Sequence, residues 1–264
     1  MINEIFNEMK WIYKVFAYIM SLSWKGKDLI YIHSTKKTFS IDEIDSRMKI
    51  KKAHIINHQP KRVKFGLKGY KMHFKKMQIN LYNILRNYDD IGFIAYAGFV
   101  NVPFAIYDGY CLGDTKNYVL FDTMKNTSGV YKINFNRKRS NINAFDLLLD
   151  DVKEVELYIS SSYEIKYQKS HAKAQFEIKS IIDDKISKNY LNDLFYKVAD
   201  FLDYCRSNKV KKIHMYCASR QPVSFIIGTA IQSHHPEVIV YDFENSEYTW
   251  GLSVQKGKIY EKRD

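Results

Sequence analysis

One stretch of the chain decides the fold: KKIHMYCASRQPVSFIIGTAIQSHHPEVIVYDFENSEYTWGLS, which runs from Lys211 to Ser253. The short apolar run from Ile213 to Ala218 predicts a buried strand, and Val238 to Tyr241 predicts a second one. Between them, Pro222 suits the first turn of a helix that continues to Ile231, because a helix start does not use the N–H that proline lacks. The order strand, polar turn, helix, strand predicts a βαβ unit with parallel strands.

The polar turn of this unit is a predicted binding site. Ser219, Arg220 and Gln221 follow the first strand directly, so they lie at the carboxyl edge of the predicted sheet. Folds of the α/β class bind anions and nucleotides at this edge, beside a helix N-terminus. We therefore expect the backbone amides of the turn and the guanidinium of Arg220 to face a phosphate group.

The same pattern occurs once more, in GFIAYAGFVNVPFAIYDGYCLGDTKNYVLFDT from Gly92 to Thr123. A constant offset of 119 residues aligns a strand residue, the helix-starting proline and a mid-helix glycine of the two copies, namely Ile94 with Ile213, Pro103 with Pro222 and Gly109 with Gly228. One inserted residue later, Asp122 falls on Asp242. We interpret the pair as a duplicated Rossmann-like unit with two crevices around a pseudo-twofold axis, which suits a ligand that is itself a near-symmetric ring.

The two copies resemble the SAVED domain, a tandem fusion of two CARF-like units. The second copy, followed by YTWGL at Tyr248 to Leu252, is the closer match. VELYISSSYEIK, from Val155 to Lys166, resembles the strand that opens the second half of that domain. The resemblance covers roughly residues 60–264 and implies a sensor of cyclic oligonucleotides in CBASS or type III CRISPR antiphage defence. SAVED domains are usually fused to an effector such as a nuclease, a TIR domain or a membrane segment, and we recognise none of these in the sequence.

The predicted fold class is α/β, with two tandem CARF-like units that form one pseudo-twofold SAVED domain behind an N-terminal helical extension. We place the extension at residues 1–50, the first half at residues 51–140 and the second half at residues 141–264. The extension opens with an amphipathic helix from Met1 to Leu22. This helix either packs on its own domain or docks another subunit or a separate effector.

Several other stretches are predicted with less detail. Residues 45–70 form either a basic loop or a pair of strands, and residues 164–188 are expected to be irregular. A helix is predicted from Met77 to Leu85 and another from Tyr190 to Arg206. The charged residues after Val254 are expected to form a tail.

Charge and composition leave two interpretations of the surface open. The net charge of +12 favours a polyanionic partner by long-range attraction, and it also fits a merely solvated basic surface. The three cysteines have no paired spacing, and the adjacent His234 and His235 point in different directions, so we expect no metal site and no cofactor. The scattered cysteines fit a cytoplasmic, reducing location. The apolar N-terminal run is interrupted by Lys10 and Lys14, which predicts no membrane span.

No catalytic signature accompanies these features. The sequence contains no Walker A motif, no GxGxxG and no nucleophile elbow. We therefore expect a regulatory ligand-binding subunit rather than an enzyme, with weak ring-nuclease activity left open. The alternative interpretation is a nucleic-acid-binding or ring-nuclease enzyme that uses the same basic pocket.

The candidate ligand-binding residues come from both halves. Their turns supply amides and hydroxyls, Lys125 and Arg220 supply cations for phosphate, and Trp250 supplies a ring for base stacking. The full set is Gly98, Phe99, Asn101, Lys125, Ser160, Ser161, Ser162, Ser219, Arg220, Gln221 and Trp250. The expected ligand is a cyclic oligoadenylate-like ring. The expected partners are further copies of this chain, assembled on ligand binding, and a separately encoded effector protein.

Overall fold

Two β-sheets with helices packed against them make up the computed structural model of the chain. It describes residues 27–35, 53–58, 66–87, 89, 91–114, 117–123, 130–134, 151–165, 174–180, 185–244 and 246–261. The elements of the first sheet and its helices are β1 (Lys27–Ser34), β2 (Ala53–His58), α1 (Leu67–Arg86), β3 (Ile91–Phe99), α2 (Val102–Leu112), β4 (Asn117–Thr123) and β5 (Val130–Asn134). Those of the second are β6 (Glu154–Ser160), β7 (Ala174–Lys179), α3 (Lys188–Ser207), β8 (Lys212–Ala218), α4 (Gln221–Ala230), β9 (Glu237–Glu244), β10 (Glu247–Ser253) and β11 (Lys258–Glu261).

The two sheets have the same topology. The first has the strand order β2-β1-β3-β4-β5, and the second, counted from the opposite edge, has the order β7-β6-β8-β9-β10-β11. In each sheet four strands pair in parallel and the next, β5 or β10, is antiparallel. The duplication predicted for one βαβ unit therefore extends to five strands and two helices per half. The predicted α/β fold with two tandem Rossmann-like units is confirmed.

The two predicted βαβ units are both present. β3 pairs in parallel with β4, and β8 pairs in parallel with β9. Pro103 and Pro222 both lie in the first turn of their helices, α2 and α4, as the offset of 119 residues predicts. The buried faces of these strands read as nearly continuous apolar runs because helices cover the sheet.

The halves contact each other where α2 crosses α4. A Cβ atom added to Gly109 would lie 2.0 Å from the carbonyl oxygen of Phe225, and one added to Gly228 would lie 2.0 Å from that of Ile106. Only glycine permits this backbone-to-backbone approach. Ile106 and Phe225 are separated by the same offset as the two glycines, so the contact is reciprocal, as a twofold axis requires.

Some predicted stretches differ in the structure. Residues 164–188 were expected to be irregular, but they contain β7, an edge strand parallel to β6. The charged residues after Val254 contain β11, which pairs with β10. Both strands are short and form the two edges of the second sheet, and the charged stretches around them hide the pattern that marks a strand. Residues 45–70 include the strand β2, and α1 begins ten residues before Met77 because lysines dilute its apolar period.

The first sheet begins earlier in the chain than the proposed first half. Strand β1 pairs with both β2 and β3, so the first sheet draws on residues 27–134 and the second on residues 154–261. The division at residues 50 and 140 otherwise stays a prediction. The predicted helix Met1 to Leu22 lies outside the described residues. Among the helices that the structure describes, none is long and apolar enough to cross a membrane.

Candidate functional site

A cleft opens where the carboxyl ends of β3 and β8 meet the N-termini of α2 and α4. Its volume is about 650 Å³ when the space at its mouth is included. The lining residues come from both halves: Phe99, Val100, Asn101, Val102, Ser162, Tyr163, Cys217, Ala218, Ser219, Gln221, Asp242 and Phe243. The cleft therefore lies at the carboxyl edge of both sheets, which is where α/β folds place their ligand sites.

The serine turn after β6 is fixed against β8. Ser160 pairs in register with Ala218, and the backbone N–H groups of Ser161 and Ser162 both donate to the carbonyl of Ala218, at 3.0 and 2.8 Å. This places Ser162 beside Ser219 on the wall of the cleft. The hydroxyl of Ser162 is buried and has no hydrogen-bond partner within the described part of the chain. A buried hydroxyl without a partner is costly, so a ligand oxygen or a water is expected there.

Both helix N-termini at the cleft lack a side-chain cap. Asn101 occupies the N-cap position of α2, and Arg220 occupies that of α4, but neither side chain accepts a hydrogen bond from its own helix. The first N–H groups of a helix have no partner inside the helix and carry a partial positive charge. Two such termini at one cleft favour an anionic ligand.

The side chains of these two N-cap residues instead bind the opposite half. Asn101 donates to the buried carboxylate of Asp242 at 2.6 Å, and Arg220 forms an ion pair with the buried carboxylate of Asp122. Arg220 also donates to the carbonyl of Thr123 at 3.2 Å. Asn101 and Arg220 are offset by 119 residues and the two aspartates by 120, so the pairs are pseudo-symmetric. We call them the cross-half pairs.

The carboxylate of Asp122 is held by several donors. The hydroxyl of Tyr131 donates to it at 2.8 Å and the amide of Thr123 at 2.9 Å, in addition to Arg220. Burial nevertheless raises the pKa of Asp122, because desolvation outweighs the lowering by Arg220 and the hydrogen bonds. The ion pair thus compensates for much of the burial cost but not for all of it.

A third contact between the halves involves Gln221. Its side-chain amide pairs with the backbone of Val100, donating to the carbonyl at 2.7 Å and accepting from the N–H at 3.2 Å. The two hydrogen bonds have the same pattern as those that a neighbouring strand would make with the backbone of Val100. It fixes the turn of the first half beside the turn of the second half.

Aromatic rings line the mouth of the cleft. Tyr163 follows the serine turn and is 53% exposed, and Phe243 follows Asp242 and is 45% exposed. Phe99 lies on the wall at the end of β3. Burial, followed by the charge of Asp242, raises the pKa of Tyr163, so its hydroxyl stays neutral at physiological pH. Exposed rings beside polar turns are suitable stacking surfaces for nucleobases.

The charge at the cleft is unlike that of the whole chain. Of the lining residues that the structure describes, none is Lys or Arg, and the only ionisable carboxyl is that of Asp242. The net charge of +12 is therefore not concentrated on this part of the lining. Phosphate binding here would depend on helix N-termini, hydroxyls and amides, with the basic surface acting at longer range.

The structure brings five of the predicted site residues to the cleft: Phe99, Asn101, Ser162, Ser219 and Gln221. Gly98 precedes them in β3, where an added Cβ would lie 2.5 Å from the hydroxyl of Tyr96. Ser160 and Ser161 are both buried. The hydroxyl of Ser160 donates to the carboxylate of Glu177, and that of Ser161 donates to the carbonyl of Ala218. Their roles in binding stay predictions.

The remaining three predicted residues are placed elsewhere. The guanidinium of Arg220 points to Asp122 rather than into the cleft lining. Trp250 is 2% exposed and stacks on Tyr70 at 5.0 Å in the core. Lys125 lies outside the described residues.

Sequence reasoning missed several lining residues, above all Tyr163, Asp242 and Phe243. A signal for them was present, because each stands within two residues of a predicted strand end or serine turn. The missing step was geometric: the strand ends of one half lie opposite the helix start of the other half only when the two units are related by a twofold axis.

Comparisons with known proteins agree with this architecture. The chain is similar to the Acinetobacter baumannii Cap4 SAVED/CARF-domain containing receptor with the cyclic trinucleotide 2'3'3'-cAAA, at 15% identity and a TM-score of 0.55 over 84% of this chain and 50% of that one. The same receptor with 3'3'3'-cAAA matches at 14% identity with a TM-score of 0.55, again over 84% and 50% of the chains. The Moraxella osloensis Cap4 receptor matches at 15% identity with a TM-score of 0.52, over 85% and 49%.

These matches show the fold, and the chain spans about half the length of the Cap4 receptors. No curated protein sequence matches the chain significantly. A family model does match, over residues 80–254, and these residues include the lining of the cleft on both halves. By this match over more than half of its length, the chain belongs to the SAVED family, whose description is the SMODS-associated and fused to various effectors sensor domain.

Proposed function

We propose that this chain is a sensor that binds one cyclic oligonucleotide in the cleft between its two halves. The observation that carries the proposal is the convergence of two uncapped helix N-termini on a single cleft beside a pseudo-twofold contact. A ring of repeated nucleotides has its own approximate symmetry, so each half can bind an equivalent part of it. Membership of the SAVED family and the cyclic trinucleotides in the similar Cap4 receptors support the ligand class.

The residues divide into two groups by chemistry. Ser162, Ser219 and the first N–H groups of both helices would donate to phosphate oxygens. Tyr163, Phe243 and Phe99 would stack on bases. Asp242 and Asn101 bind each other and would contact the exocyclic amine or a base edge of a ligand that reaches the cleft floor.

The test of the binding site is calorimetry with a panel of cyclic di-, tri- and tetranucleotides. Base stacking contributes about 1–3 kcal/mol, so Tyr163→Ala should weaken binding of the cognate ring roughly 5- to 150-fold. Tyr82→Ala is a matched control, because Tyr82 is 57% exposed and lies on α1 away from the cleft lining. Unchanged affinity in Tyr163→Ala, or an equal loss in Tyr82→Ala, would exclude the cleft as the site.

We further propose that the bound ring acts through other chains. A ligand changes a protein only through a difference in affinity between two states, and here the second state would be an assembled one. Head-to-tail contacts that do not close would build filaments, and the assembled chains would present a surface to a separately encoded effector. Sedimentation with and without the cognate ring tests this. A chain that binds its ring, stays monomeric and captures no effector would contradict it.

The predicted helix Met1 to Leu22 is the proposed link to partner chains. Ligand-driven assembly that is lost only when residues 1–22 are removed, with ring affinity kept, would support this role. If their removal instead unfolds the chain, the helix belongs to the core. Circular dichroism of the shortened protein separates these two results.

A further inference from the structure

Three histidines from distant parts of the sequence meet inside the first half. His33 is the last residue but one of β1, His58 ends the neighbouring β2, and the two are paired in register. His73 lies on the buried face of α1, which packs over these strand ends. All three side chains are buried. Their spacing in the sequence matches no metal-binding motif, so sequence reasoning found no histidine site.

The ring nitrogens of the three histidines lie close together, with His73 between His33 and His58. Nε2 of His33 lies 2.8 Å from Nε2 of His73, and Nε2 of His58 lies 3.3 Å from Nδ1 of His73. One nitrogen from each ring can be chosen so that all three lie within 4.8 Å of one another. Nitrogens bound to one tetrahedral zinc at about 2.0–2.1 Å are separated by about 3.4 Å, so small ring rotations would complete the geometry.

Second partners orient two of the three rings. Nδ1 of His33 contacts Oδ2 of the buried Asp108 at 2.5 Å, and this carboxylate also accepts from the hydroxyls of Tyr31 at 2.9 Å and Tyr96 at 3.0 Å. A carboxylate at one ring nitrogen directs the lone pair of the other nitrogen outwards, which is the usual arrangement behind a zinc-binding histidine. Here that lone pair faces His73.

His58 has a matching partner on α1. Its Nδ1 lies 2.9 Å from the side-chain amide of Asn80. An asparagine can turn either its N–H₂ or its carbonyl oxygen to the ring. When the carbonyl oxygen faces His58, it accepts from the Nδ1–H group and leaves the lone pair of Nε2 available to a metal.

We propose that His33, His58 and His73 form a binding site for a divalent transition-metal ion of the Zn²⁺ type. Three imidazoles, one of them held by the carboxylate of Asp108, suit zinc and leave its fourth position to water. The ion would tie the edge strand β2 and the helix α1 to β1. In β1, His33 is paired with Gly98, which directly precedes the cleft residues of β3, so the ion would also brace the first-half wall of the cleft.

The test uses the full-length, untagged protein, loaded with Zn²⁺ and dialysed, with the metal measured by mass spectrometry. We expect about one Zn²⁺ per chain, and we expect Co²⁺ to give the intense visible bands of tetrahedral coordination. His58→Gln and His73→Gln should abolish both signals. Asn80→Ala, which removes only an orienting partner, should weaken the affinity roughly ten- to a hundred-fold.

His234→Gln is the matched control. His234, His235 and Asp203 form the other group of potential metal ligands among the described residues, and His234 itself is exposed. Metal lost in His234→Gln and kept in His58→Gln would overturn the proposal. Failure of the wild type to retain Zn²⁺ or to show the Co²⁺ bands would also overturn it, and the cluster would then be a hydrogen-bonded chain only. If the histidine variants unfold, X-ray absorption of the Zn²⁺-loaded wild type decides: three imidazole nitrogens support the site, and sulfur or carboxylate ligands refute it.

Discussion

The ion pair between Arg220 and Asp122 should couple the stability of the two halves. Arg220 precedes a helix of the second half, whereas Asp122 is the last residue but one of a strand of the first half. Their side chains are only 17% and 4% exposed, respectively. Replacing Arg220 with Met removes the guanidinium but keeps most of the apolar stem. The carboxylate of Asp122 would keep its hydrogen bonds from Tyr131 and Thr123 but lose its only nearby positive partner among the described residues.

The expected cost follows from the burial of the pair. Removing one partner of a fully buried ion pair costs about 3–5 kcal/mol. The two remaining donors and the partial exposure of Arg220 reduce this to about 2–4 kcal/mol. Burial already raises the pKa of Asp122, so the orphaned carboxyl can take up a proton, which limits the loss further. A loss of about 2–4 kcal/mol is a large part of the total free energy of unfolding, which is about 5–15 kcal/mol for a typical protein.

The assay is a double-mutant cycle in urea with Arg220→Met, Asp122→Asn and the double variant. We expect the double variant to lose at least about 1 kcal/mol less than the sum of the single losses, because one partner is no longer left unpaired in the interior. The expected melting temperature of Arg220→Met is roughly 5–12 °C below that of the wild type. Additive losses, or a free energy of unfolding of Arg220→Met within about 0.5 kcal/mol of the wild type, would refute the ion pair.

Three further outcomes follow from the same contacts. Gly228→Ala should destabilise the fold by about 3 kcal/mol or more, because the added Cβ would overlap the backbone of Ile106. Gly92→Ala is the control and should cost far less, because its Cβ would meet only the end of a flexible side chain. Thermal unfolding compares the two variants. Gln221→Ala should cost about 1–3 kcal/mol in urea unfolding and weaken ring binding, and equal stability to the wild type would contradict its backbone pairing. Burial lowers the pKa of His235 in the folded state, so the stability that its neutral ring contributes is present above the unfolded pKa of about 6.5 and is lost on acidification. When the pH falls from about 7.5 to about 5.5, the free energy of unfolding of His235→Gln should therefore decrease by as much as about 1 kcal/mol less than that of the wild type. Parallel curves of stability against pH would contradict this.

The sequence predicts the βαβ units because their signals are local. The apolar run before Ser219 and the proline after it fix a strand end and a helix start within a few residues. The strand β7 was missed because its alternation of Ala174, Phe176 and Ile178 covers only six residues within a strongly charged stretch. Edge strands bury only part of one face, so the hydrophobic pattern that marks them is weak.

The position of the cleft was predictable, but the direction of its side chains was not. Arg220 follows the pattern of a phosphate ligand in its own turn, yet it binds Asp122, which is 98 positions away in the sequence. The buried charge of Asp122 competes for the guanidinium, and only the folded arrangement of both halves brings the two together. The histidine cluster is hidden for the same reason, since its members come from three separate elements.

The central claim is that one ring binds across both halves, and hydrogen–deuterium exchange of the full chain with and without the cognate cyclic oligonucleotide tests it most directly. The predicted result is slower exchange in four separate segments around Asn101, Ser162, Gln221 and Phe243. These are two helix starts, the serine turn and the end of strand β9, and together they come from both halves. Protection confined to one half, or located only on surfaces outside the cleft, would contradict the claim.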